Sequence, residues 1–155
     1  MSRFLKPYTL PDGFVVVVDT REQLPLFGSV NNLTQDRRKL DKGDYSIQGF
    51  EDMICVERKM ISDLTSYMTT ERDRTVTKLE AMEDMKWKAL VVECEEAELY
   101  IPKVFTNVPP EVFRQTLASW RVRYNLHVYC SRRREWIERY ILDHFIKFYR
   151  IVREI

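Results

Sequence analysis

Residues 43–63 read GDYSIQGFEDMICVERKMISD. Two β-rich runs, DYSIQGF and MICVERK, flank turn residues at 49–52, so the stretch predicts a pair of adjacent strands. Upstream, FVVVVDTRE at 14–22 is a continuous β-branched run ending in charge, as in a strand buried on both faces. Asp41-Lys42-Gly43 is a turn signal. Residues 24–40, with Pro25, Gly28, Asn31 and Asn32, are expected to be loop, with a strand at 34–40 left open. Downstream, Ile61, Leu64 and Met68 recur at helical spacing, and Val76, Leu79, Met82 and Glu83 continue that register. WKALVVEC at 87–94 returns to a buried strand. Pro109 and Pro110 then precede a helix carrying Phe113, Leu117, Trp120 and Tyr124 on one side. LHVYC predicts a last strand, and a long helix follows from about Arg133. The order βββ, α, β, α, β, α predicts an α/β fold, a central mixed sheet flanked by helices.

The whole chain, 155 residues with 25 basic and 24 acidic side chains, suits a single domain large enough to bury a core. Its hydrophobic fraction of 45% excludes a disordered chain. The longest apolar run, residues 14–18, is far short of a membrane span, so no membrane association is expected. No secretion signal is visible at the N-terminus. Cys55, Cys94 and Cys130 are far apart and lack metal-ligand spacing, which argues for thiols packed in strands and an intracellular, reducing setting. A net charge of +1 gives no overall bias toward nucleic acid, so any such role rests on local arrangement.

The chemistry-bearing residues lie between Asp19 and Asp63. Asp19 stands where a strand meets a turn, with Arg21 and Glu22 immediately after it, and Asp44 follows Gly43 at the start of the next strand. Along MICVERK, alternation sends Glu57 and Lys59 to one face and Arg58 to the other. If neighbouring strands pair, Asp44 joins Glu57 and Lys59, so that two or three carboxylates and one ammonium share a pocket. Carboxylate oxygens select Mg²⁺ or Mn²⁺. Such an ion polarises a phosphate and activates water, and a lysine beside it assists proton transfer or stabilises developing charge.

Two carboxylates and a lysine at D…(E/D)xK spacing are the PD-(D/E)xK-type core of restriction-endonuclease-like nucleases. The longer pattern GD-x12-ERK-x3-D, preceded by DTRE, closely resembles the nuclease domain of the XPF family of structure-selective DNA endonucleases. It is most similar to the small stand-alone versions of bacteria, phages and archaea. ERDRTVTKLEAM, KALVVEC and PPEVFRQTLASWRVRYNLHV extend the resemblance over residues 14–150. The resemblance implies metal-dependent hydrolysis of phosphodiesters in branched or flapped DNA during repair or recombination. Asp44 and Glu57, with Asp19, would hold Mg²⁺, with Mn²⁺ as substitute. Lys59 would be the catalytic lysine, and Arg21, Glu22, Arg58 and Asp63 the supporting charges. Arg72 or Arg74 would reach a DNA phosphate, and the Arg37-Arg38 run offers further contacts. Localisation would be cytoplasmic or nucleoid-associated. One nuclease domain over 1–155, with an N-terminal arm at 1–13, leaves no room for helix-hairpin-helix motifs. A non-catalytic DNA-binding or partner subunit on the same fold is the alternative, as is a phage or defence nuclease without structure selectivity.

Outside the motif, Glu93 ends a strand and is expected at the surface, and His127 and His144 carry no motif. In the last helix Ile137, Ile141, Phe145, Phe148 and Val152 form one stripe suited to the sheet. Trp136, Tyr140, Leu142, Ile146 and Tyr149 widen it beyond one core contact, which points to a homodimer through this helix.

Overall fold

In the computed structural model, which describes residues 8–154, the β-branched run Val15–Val18 forms β1, with three of its four side chains buried. β2 (Thr34–Arg37) lies parallel to it on one side and β3 (Tyr45–Ile47) antiparallel on the other. β3 pairs antiparallel with β4 (Ile54–Met60), and β5 (Trp87–Glu93) and β6 (His127–Cys130) continue in parallel. The resulting mixed sheet has the order β2-β1-β3-β4-β5-β6. The strand left open at 34–40 exists but is shorter. Its TQDR side chains lie on the sheet edge, where no alternation of apolar residues marks it.

Helices cover both faces. α1 (Ile61–Met68), α2 (Arg72–Ala81) and α3 (Pro110–Tyr124) pack Leu64, Leu79, Phe113 and Trp120 over Cys55, Leu90 and Val92. α4 (Arg134–Arg153) packs Ile137, Ile141 and Phe145 over Val16, Val18, Ile54, Val56 and Val91. The continuous helical register expected after Lys59 is instead two helices, because the amides of Thr69 and Glu71 both turn back to the Ser66 carbonyl. A short 3₁₀ turn, Glu96–Tyr100, follows β5 where sequence periodicity gave no signal.

The buried side of α4 differs from the expected stripe. It comprises Ile137, Glu138, Ile141, Leu142, Phe145, Ile146 and Tyr149, while Phe148 and Val152 are only half-buried. Phe14 meets the Tyr149 ring edge-on at 5.4 Å, Leu26 and Phe27 join the same cluster, and the Tyr149 hydroxyl donates to the Asp12 carbonyl at 3.1 Å. Leu142, Ile146 and Tyr149 are therefore covered by this chain itself, which removes them from any surface offered to a second copy; Trp136 and Ile151 stay exposed. His127 and His144 both stack on Trp87, at 5.3 and 4.8 Å between ring centres. Of the N-terminal arm expected at 1–13, residues 1–7 lie outside the described residues. Among the described residues, no helix is long and apolar enough to cross a membrane.

Candidate active site

Strand register assembles the acidic residues. Val18 faces Tyr45 across β1 and β3, and Tyr45 faces Val56 across β3 and β4. The next step of that register brings Asp19, Asp44 and Glu57 into a row across three strands, all on the face covered by α1–α3. Backbone bonds close the row, Asp19 N–H to the Asp44 carbonyl at 2.9 Å and Asp44 N–H to the Val56 carbonyl at 2.8 Å.

Gly43 makes this approach possible. Its φ is +73°, and a Cβ there would lie 2.9 Å from the Cys55 Cβ and 3.1 Å from the Val56 oxygen. Only glycine enters the left-handed conformation and the tight gap together.

Asp44 and Glu57 line a cleft of about 350 Å³ with Arg21, Asp41, Lys42, Gly43, Tyr67, Lys78, Ala81 and Met82. Asp44 accepts the Arg58 backbone N–H at 2.8 Å through Oδ2. Burial, then the charge of Glu57, raises its carboxyl from 3.8 to about 7. Burial likewise raises Glu57, opposed by Lys59 and Lys78. Lys59 Nζ stands 3.8 Å from a Glu57 oxygen and 4.7 Å from the centre of the Tyr67 ring. Two carboxylates that repel each other in a partly dry cleft are a poor ion pair partner set but a good seat for a hard divalent cation. Among the described residues no group of three or more Asp, Glu, His or Cys side chains forms a cage. Two carboxylates are nevertheless sufficient for Mg²⁺, which keeps several waters and takes substrate phosphate oxygens as further ligands.

Asp19 is placed differently from Asp44 and Glu57. It is fully buried, and both its oxygens are occupied. Oδ1 accepts the Arg21 amide and Nε, and Oδ2 accepts Arg21 Nη2 at 2.8 Å and the Leu40 amide at 2.9 Å. The Arg21 guanidinium holds its carboxyl well below the usual carboxylate range. Asp19 thus anchors the turn after β1 and orients Arg21 at the cleft, with no lone pair left toward a metal.

The model of the ERCC4 domain family matches residues 18–143, from the end of β1 into α4. The chain belongs to this family, that of the XPF-type nucleases. Its fold is restriction-endonuclease-like, similar to XPF from Aeropyrum pernix in two solved structures. One, in complex with DNA, has TM-score 0.66 and 19% identity, over 87% of this chain and 64% of that chain. The other has TM-score 0.59 and 20% identity, over 76% and 53%. This chain therefore spans between about half and two thirds of those chains. Among curated proteins none matches it significantly.

The remaining motif charges of this ERCC4-family chain separate by face. Arg58 projects to the α4 side, as alternation predicts, and there Nη1 donates to Glu22 at 3.0 Å and to the Leu24 carbonyl at 2.6 Å. Its Nη2 donates to Glu93 at 2.9 Å, and the Tyr45 hydroxyl donates to Glu22 at 2.7 Å. Glu22 and Arg58 therefore lie behind the sheet from the cleft and brace it. Glu93, expected at the surface, is largely buried against Arg58, a contact across 35 residues that no local pattern shows. Asp63 is exposed in the first turn of α1, where its charge favours the helix N-terminus, and it makes no ion pair among the described residues.

The expected DNA-contacting arginines are all held locally. Arg72 donates to the Met68 carbonyl and to Thr116 Oγ1 at 3.0 Å, tying α2 to α3. Arg74 pairs with Glu71 at 3.5 Å on the exposed side of α2. Arg37 donates to the Thr20 and Glu22 carbonyls, and Arg38 to Asp36 and Glu51. Sequence reading missed Lys42, Tyr67 and Lys78 at the cleft. Lys42 adjoins Gly43 and was within reach of the motif, whereas Tyr67 and Lys78 arrive through packing of α1 and α2.

Proposed function

We propose that this chain is a Mg²⁺- or Mn²⁺-dependent DNA endonuclease acting on branched, flapped or otherwise structured DNA in repair or recombination. The observation that carries this is the cleft over the central strands β3 and β4 that unites Asp44 and Glu57 beside Lys59. Membership of the XPF-type nuclease family and the DNA complex of an XPF neighbour support it.

Asp44 and Glu57 hold the divalent ion, and each has the raised proton affinity that a cation relieves. When bound, that ion polarises the phosphate and makes its water a nucleophile at neutral pH. Lys59, held near Glu57 and the Tyr67 ring, would hold the attacking water by hydrogen bonding and offset negative charge developing on the phosphate. Arg21, steered by Asp19, faces the same cleft and meets a non-bridging oxygen. Arg58 and Glu22 act from behind: they pin β4 so that the Arg58 N–H fixes Asp44. Asp19 is a positioning residue here, and Asp63 supports α1.

The test is cleavage of labelled flap, fork, four-way junction, duplex and single-stranded DNA with Mg²⁺ or Mn²⁺. Wild type should cut at least one branched form, leaving 5′-phosphate and 3′-hydroxyl ends. Asp44→Asn and Lys59→Ala should each lose at least 100-fold (on the order of one lost catalytic group) while keeping the native circular dichroism spectrum. Full activity in folded Asp44→Asn would sink the assignment.

A further inference from the structure

Lys42 and Lys78 line the cleft with no ion pair or hydrogen bond to any described residue, unlike Arg21, which is engaged by Asp19. Lys78 is the more informative, because the fold fixes its backbone. Thr75 Oγ1 donates to the Tyr67 and Glu71 carbonyls at 3.0 and 2.9 Å, locking α2 onto the end of α1. Arg72 ties the start of α2 to Thr116 of α3. Leu79 and Met82 are buried, and Met82 Sδ sits 3.6 Å from Cys55 Sγ.

The spacing then follows from element geometry. Lys78 precedes Met82 by four residues, about 6 Å along a helix. Glu57 follows Cys55 by two residues, about 6.6 Å along a strand. With Met82 against Cys55, Lys78 and Glu57 line the same cleft, and the Lys78 charge counts among those acting on that carboxylate. Three carboxylates and three cations line the cleft, so a divalent ion would leave it positive and receptive to a polyanion. A buried-side acidic partner, the ordinary arrangement for a structural lysine, is absent among the described residues.

We propose that Lys78 is a phosphate-binding residue of this site, its ammonium contacting a non-bridging phosphate oxygen of the DNA from α2, whereas Lys59 approaches from the sheet. This rests on the nuclease reading. Lys78 then governs substrate binding, and Lys59 the chemical step.

The experiment uses the full chain and its variants Lys78→Ala, Lys78→Gln and Lys78→Arg. Binding of a labelled flap duplex is measured in Ca²⁺ from 50 to 300 mM KCl, and steady-state cleavage in Mg²⁺. Lys78→Ala and Lys78→Gln should each lower the salt slope of log Kd by about 0.9, the value for one phosphate contact. Both should raise KM about tenfold with kcat changed less than threefold, and Lys78→Arg should restore the slope. An unchanged slope and KM in both neutral variants would overturn the assignment. So would a loss confined to kcat, or a Lys78→Arg variant as impaired as Lys78→Ala. If wild type neither binds nor cuts DNA, the nuclease reading falls and this one with it. If wild type is active and only the Lys78 effects are missing, this one falls alone.

Discussion

Gly43 and Gly49 provide a matched pair in which one energetic effect can be separated from another. Both adopt positive φ, +73° and +92°, so an alanine at either is strained by its backbone alone. That strain costs about 1–2 kcal/mol. Only Gly43 is also crowded: an added Cβ would meet the Cys55 Cβ at 2.9 Å and the Val56 carbonyl at 3.1 Å, whereas nothing lies within 4 Å at Gly49. Neither obstacle is the mobile end of a side chain, so β3 or β4 must move. Overpacking of this kind adds about 1–3 kcal/mol. Gly49→Ala should therefore destabilise by about 1–2 kcal/mol and Gly43→Ala by about 2–5. Urea unfolding monitored by tryptophan fluorescence measures both. Because Asp44 follows Gly43 directly, cleavage should fall sharply in Gly43→Ala and stay near wild type in Gly49→Ala. Equal destabilisation of the two variants would refute the claim that close approach of β4, rather than the turn conformation, demands glycine before Asp44.

Protonation of the cleft offers a second check. Because Asp44 is raised from 3.8 to about 7, the folded state binds its proton more tightly than the unfolded chain. Without divalent cations, this carboxyl therefore erodes stability as pH rises through that window. The advantage of Asp44→Asn over wild type in EDTA should grow from near zero at pH 4 to a maximum above pH 7, on the order of a few kcal/mol at most; a difference independent of pH would contradict it. Excess Mg²⁺ should remove that advantage, read from the same urea midpoints. Arg58→Met should cost about 3 kcal/mol, because Glu22 and Glu93 are left as largely buried carboxylates without their cation. Adding Glu93→Gln should recover part of that loss, and strictly additive effects in thermal unfolding would rule out the coupling.

How much of the site was legible in the sequence depended on the range of each interaction. Glu57, Arg58 and Lys59 were sorted to opposite faces by strand alternation, and the structure separates them in that way. The Asp41-Lys42-Gly43 turn was legible too, although the reason for its glycine is a contact with Cys55, 12 residues on. β2 escaped clear recognition because an exposed edge strand carries no apolar alternation. The partner of Glu93 lay 35 residues away, and the wide apolar side of α4 was satisfied by Phe14, Leu26 and Phe27 from the opposite end of the chain. A helical wheel shows how much surface a helix must bury, but not what covers it.

The sequence by itself determined the α/β class, the strands that carry the acidic residues and the presence of an Asp-Glu-Lys set at nuclease spacing, because these follow from local periodicity and the fixed two-residue period of a strand. Tertiary structure alone decided which carboxylates keep free oxygens. Register placed Asp19, Asp44 and Glu57 in one row, but the Arg21 guanidinium and the Leu40 amide close on Asp19 and leave the other two facing the cleft. It likewise decided that Lys78 stands at the site, since a residue on a helix reaches a strand only through packing between elements, here Met82 on Cys55.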